Sequence, residues 1–165
     1  MEFSKKSGTY RLYKQQFIPV SLSTAWTFFS NPKNLQLITP EKLDFKITSI
    51  DGQNAYAGQI ITYSIKLNRI IKMNWVTEIT QFKDQEYFVD EQRFGPYKMW
   101  HHVHKFESVD GGVLMTDIIH FKLPFRLLSS LGYILFVKRN LNHIFSYRTA
   151  QLEAQFHQSE FNGIS

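Results

Sequence analysis

A chain of 165 residues, 43% hydrophobic and 20% charged, has the composition of one soluble globular domain, long enough to bury about two-thirds of its unfolded surface. It contains no cysteine, which excludes disulfides, thiolate catalysis and cysteine-based zinc sites. The net charge of +5 comes from scattered Lys and Arg, with Lys5-Lys6 and Lys138-Arg139 the densest pairs, so there is no clustered basic stripe of the kind that binds nucleic acid.

The N-terminus has no apolar core like that of a signal peptide. The strongest apolar run, Leu131 to Val137, is too short to span a bilayer. The expectation is a cytoplasmic protein without stable membrane insertion.

Tyr10 to Ile18 alternates and stops at Pro19, as a first strand does. Ser21 or Ser23 then caps a short helix through Ala25, Trp26 and Phe29. Asn31-Pro32 interrupts it, and a second short helix carries Leu35, Leu37 and Ile38 up to Pro40. From Leu43 to Phe121 strand follows strand: Leu43 to Ile50, Gly58 to Leu67, Ile71 to Phe82, then Tyr87 to Phe106 as a pair broken at Gly95-Pro96. Turns are expected at Asp51-Gly52, Asn68-Arg69, Lys83 to Gln85 and Asp110 to Gly112, and Val113 to Leu123 closes the series before Pro124. Such short connections give an antiparallel meander. Tyr133 to Gln158 lacks Gly and Pro and spaces Ile134, Val137, Leu141, Ile144, Phe145, Arg148, Leu152 and Phe156 at helical steps, one amphipathic stripe on one long helix.

Chemistry concentrates in Tyr87 to Phe106. Period two puts Trp100, His102, His104 and Phe106 on one face, and Phe88, Asp90, Gln92 and Phe94 on one face of the preceding strand. Acids, amides and imidazoles lie between aromatics. Asp117 sits in an apolar row and Arg148 on or beside the apolar stripe, and both need partners if buried. His102 and His104 at strand spacing offer two metal ligands, but no third is fixed by the sequence, so a polar network is the reading adopted and no metal is assigned. No glycine-rich phosphate loop is present, and no cofactor is expected.

The order of elements resembles the helix-grip fold of the START and birch-pollen-allergen-like superfamily, SRPBCC, over roughly Tyr10 to Phe156. The phrases Trp26-Thr27-Phe28-Phe29-Ser30-Asn31-Pro32, Phe88-Val89-Asp90-Glu91-Gln92-Arg93-Phe94-Gly95-Pro96 and Trp100-His101-His102-Val103-His104 are similar to a bacterial branch with polyketide cyclase-like and epimerase-fused domains. The resemblance implies an α+β helix-grip fold: a curved antiparallel sheet of about six or seven strands around a long C-terminal helix, with two short helices after the first strand. It implies one domain over 1–165 with its core about 9–158. It further implies a cavity for a small hydrophobic or amphipathic ligand. The expected lining is Tyr63, Trp75, Phe88, Asp90, Gln92, Trp100, His102, His104, Asp117, Phe145 and Arg148. A cyclase- or isomerase-type enzyme using a His–Asp pair, and an interaction module with a filled cavity, are the alternatives, and no catalytic residue is assigned. Phe125 to Val137 is a candidate gate or homodimer patch.

Overall fold

The computed structural model describes residues 1–66, 71–124 and 131–161, with the helical backbone alone for 131–133 and 157–161. The expected turn at Asn68-Arg69, and the part of the candidate gate over 125–130, lie outside the described residues. One antiparallel sheet holds eight strands: β1 (Glu2–Lys6), β2 (Thr9–Ile18), β3 (Lys46–Ile50), β4 (Ile60–Lys66), β5 (Lys72–Lys83), β6 (Tyr87–Phe94), β7 (Met99–Val109) and β8 (Gly112–Lys122). Their order is β1-β2-β8-β7-β6-β5-β4-β3, so the meander from β3 to β8 comes back to lie against β2. Helix α1 (Leu22–Phe29) and two 3-10 segments (Pro32–Gln36, Glu41–Leu43) separate β2 from β3, and α2 (Leu131–Phe161) ends the chain. The helix-grip class expected from the sequence is the one found.

The strand number differs from the expected six or seven because β1 is an extra edge hairpin strand. Ser7 (φ 49°) and Gly8 (φ 78°) both adopt positive φ, the backbone of a two-residue turn matched to strand twist. The expected second short helix is the five-residue 3-10 segment, started by the Asn31 side chain accepting from the Lys33 N–H at 3.1 Å. Ser21 caps α1 by accepting from the Thr24 N–H, the role the sequence predicts for it.

The helical stripe is the buried one: Ile134, Val137, Leu141, Phe145, Arg148, Leu152 and Phe156 are buried, and only Ile144 at its margin is half-buried. The core divides into two apolar groups. One gathers on Trp26, whose ring meets Phe106 edge-on (centroids 5.4 Å) and Phe82 at 5.3 Å, wedging α1 against the sheet. The other runs from Leu12, Ile119 and Phe121 on the sheet to Val137, Leu141 and Phe145 on α2. At the β7–β8 turn Gly112 passes so close to the Ile18 carbonyl and the Phe17 ring that a Cβ there has no room.

Candidate functional site

Sheet register assembles the polar cluster. Asp90 on β6 pairs across from His102 on β7, and Asp117 on β8 pairs across from His104. Because His102 and His104 are two residues apart, both rings and both carboxylates point to the concave face. Each imidazole bridges the two acids. His102 Nε2 lies 2.8 Å from Asp117 Oδ1 and its Nδ1 3.3 Å from Asp90 Oδ2. His104 Nε2 lies 2.8 Å from Asp90 Oδ2 and its Nδ1 3.1 Å from Asp117 Oδ1. The two rings approach to 3.7 Å between centroids, and Phe88 stacks on His104 at 4.3 Å.

Burial alone would push both carboxyls up. The hydrogen bonds and charge of the imidazoles outweigh it, holding Asp90 and Asp117 below the ordinary carboxylate value. Burial likewise opposes a charged His102, and the two carboxylates reverse that and raise its pKa. An ionised carboxylate only accepts, so the carboxylate oxygens near the two His102 nitrogens favour the doubly protonated ring over the neutral one.

The cluster forms one wall of a cavity of about 170 Å3. The remaining wall is mostly apolar and aromatic, with Phe28, Phe29 and Leu35 from the short helices and Ile61, Tyr63 and Trp75 from the sheet, and it also takes in Asn31, Asn34, Thr77 and Arg148. The Tyr63 hydroxyl is engaged with Thr77 Oγ1 at 2.7 Å, and burial, then the Asp90 charge, push its pKa upward. A second cavity of about 110 Å3 lies on another side of Trp75, against Val137 and Leu141 of α2.

Of the residues expected to line the site, Tyr63, Trp75, Phe88, Asp90, Trp100, His102, His104 and Arg148 border the first cavity. Three do not. Asp117 is buried behind the imidazoles, and Phe145 is packed in the core beside the Arg148 guanidinium, 4.9 Å from its ring. Gln92 is a turn cap: its Nε2 donates to the Tyr97 carbonyl at 2.7 Å and its Oε1 accepts from the Tyr97 N–H at 3.1 Å. Its amide is used up by the backbone of the Gly95-Pro96 turn, which explains its place away from the cavity.

Sequence reasoning missed the contribution of Phe28, Phe29 and Leu35, which read as core, and it missed Lys14. Lys14 pairs across from Asp117 in the β2–β8 ladder and faces inward in step with buried Leu12, a period-two signal that was present in the sequence. Its Nζ donates to the Phe145 carbonyl at 3.1 Å and to Thr149 Oγ1, and burial lowers its pKa to about 8.

Asp90, His102 and His104 present ligand atoms of metal-binding type within 4.8 Å of one another, a donor set suited to zinc or iron. Asp90 Oδ2 already has His104 Nε2 at 2.8 Å, the spacing of a charge-assisted hydrogen bond, and His102 Nδ1 farther off at 3.3 Å. The arrangement places titratable groups beside the cavity, where they can orient a polar group or exchange a proton with one.

Neither a protein-family model nor a curated protein sequence matches the chain. Solved structures do. Ara h 8.0201 superposes with a TM-score of 0.60 at 14% identity, covering 89% of this chain and 99% of that one. Major latex-like protein 151 from Panax ginseng gives 0.62 at 13% identity, over 91% of this chain and 99% of that one. A Nitrosomonas europaea protein gives 0.66 at 13% identity, over 91% and 96%. These likenesses show the fold: the chain shares the helix-grip fold of these proteins.

Proposed function

We propose that this protein binds a small, mainly hydrophobic molecule, as a carrier or sensor, in the cavity between the sheet, the short helices and α2. One observation carries the reading: an apolar, aromatic-walled space of about 170 Å3 ends on the Asp90, His102 and His104 cluster. Apolar walls supply affinity through buried area, about 25 cal/mol per Å2, while a few convergent polar groups set orientation. The volume is below the roughly 300–1,000 Å3 of drug-sized sites, which favours a compact ligand.

Native mass spectrometry of the protein as purified, with a lipid and metabolite screen, tests this. A co-purifying or captured hydrophobic molecule is expected. If none is carried and none binds, the carrier reading fails.

A cyclase- or isomerase-type reaction is the second reading, favoured by one feature: the His104–Asp90 pair borders the cavity, where a proton can reach a bound carbonyl compound. Replacing both His102 and His104 by Gln separates the two, since an enzyme loses turnover whereas a binder keeps a weakened affinity.

A further inference from the structure

Among the described residues, Arg148 is the one cavity residue supplied by α2, and it is only 8% exposed. Guanidinium stays charged at every accessible pH and carries five N–H donors in a rigid fork. Among the described residues, none of those donors has an acceptor at hydrogen-bond distance. Nε is fully buried without a partner, and the nearest carboxylate, Asp117 Oδ1, is 4.0 Å from Nη1. Asp117 cannot serve it better, because the same Oδ1 already receives His102 Nε2 at 2.8 Å and has His104 Nδ1 at 3.1 Å. Asp90 Oδ2 is likewise held by both rings. What Arg148 does touch is apolar: its guanidinium lies over the Phe145 ring at 4.9 Å.

Leaving a buried charged donor unsatisfied costs more than the roughly 1–3 kcal/mol of a neutral one, so a buried, unpartnered Nε on a fork whose nearest carboxylate is 4.0 Å away points to acceptors supplied by a ligand. Trp75 Nε1, in the same wall, is also buried without an acceptor. A planar group with two adjacent anionic oxygens matches the fork, and most of the other residues facing that space are apolar.

We infer that the cavity takes a compact hydrophobic monocarboxylate, whose carboxylate is received by Arg148 while its hydrocarbon part lies against Trp75, Tyr63, Phe28 and Phe29. This rests on the ligand-binding reading above and names the ligand's class. The Asp90–His102–His104–Asp117 ring has a distinct part here: it engages Asp90 Oδ2 and Asp117 Oδ1 with the imidazoles, and Asp117 Oδ1 is the carboxylate oxygen nearest Arg148.

Octanoate and 1-octanol are the probes, differing only in the head group. Their binding is measured by isothermal titration calorimetry at neutral pH on the wild-type chain, on Arg148→Gln and on Arg148→Lys, each checked for a cooperative thermal transition. Octanoate is expected to bind wild type at least about tenfold more tightly than 1-octanol, the scale of one charge-assisted pair. Arg148→Gln should erase that preference, lowering octanoate affinity by far more than 1-octanol affinity. Arg148→Lys, a point charge without the fork, should keep only part of it. Equal binding of both probes to wild type, or a preference that survives Arg148→Gln, overturns the carboxylate assignment and leaves hydrophobic binding standing. If neither probe binds, the assignment and the cavity reading fall together. Should Arg148→Gln not fold, an undiminished preference in Arg148→Lys overturns the assignment.

Discussion

His102 Nε2 stands 2.8 Å from Asp117 Oδ1, with both side chains only 6% exposed, so the pair is a charged contact with almost no water to share its field. Breaking such a pair from one side leaves the other charge buried and unmatched. Asp117→Asn keeps the shape and removes the charge from His102. It is expected to cost about 3–5 kcal/mol of unfolding free energy in urea titrations. A loss under about 1 kcal/mol would show that the cluster contributes little to stability.

The same shifts set a pH dependence. Asp90 and Asp117, held below 3.8, contribute stability that is complete above that value and is lost as pH falls through their depressed pKa values. His102, raised above 6.5, contributes stability that is complete below 6.5 and is lost as pH rises through its raised pKa. The cluster therefore stabilises most between 3.8 and 6.5. Lys14 acts in the opposite sense: the cost of burying its charge is present below about 8 and relieved as pH climbs toward 10.5. Denaturation midpoints followed from acid to alkaline pH should decline above neutrality, and His102→Gln should flatten that decline. An unchanged slope in the variant would rule out His102 as its source.

Gln92 separates a structural role from a binding one. Gln92→Ala removes two hydrogen bonds to the Tyr97 backbone and is expected to cost about 1–2 kcal/mol. Its affinity for octanoate should equal that of the wild type. A clear fall in affinity without loss of stability would return Gln92 to the cavity wall.

Gly112→Ala tests the close approach of the β7–β8 turn to β2. The added methyl meets the Ile18 carbonyl, a backbone atom that cannot swing aside, so the change should cost about 1–3 kcal/mol by thermal or urea unfolding. A neutral substitution would mean that the turn relaxes freely away from β2.

Much of this fold was readable because period and punctuation agree along the chain. The stripe from Ile134 to Phe156 and the alternation from Trp100 to Phe106 each bury the face they predict. The β1 strand was not readable: Phe3 is its only partly buried residue, and Ser7-Gly8 is a short turn signal between polar residues. The site was half legible. Alternation brings His102 and His104 to one face, but only the β6–β7–β8 register shows that Asp90 and Asp117 stand opposite them. Gln92 shares a face with Asp90 in sequence, yet its amide turns to the Tyr97 backbone, a local competition that alternation does not reveal. Phe28, Phe29 and Leu35 border the cavity through the path of the chain after α1, and no pattern within that segment distinguishes a lining aromatic from a packed one.

The square of two acids and two imidazoles also bears on how the strands find one another. Sliding β7 by a single residue against its neighbours would turn His102 and His104 outward and bring His101 and Lys105 inward, stranding Asp90 and Asp117 against the wrong partners. Hydrophobic side chains tolerate approximate matching, whereas four charged and polar groups interlocked at 2.8 to 3.3 Å do not. The cluster thus discriminates among mispaired sheets as the three central strands come together, a sorting role fulfilled before any ligand arrives.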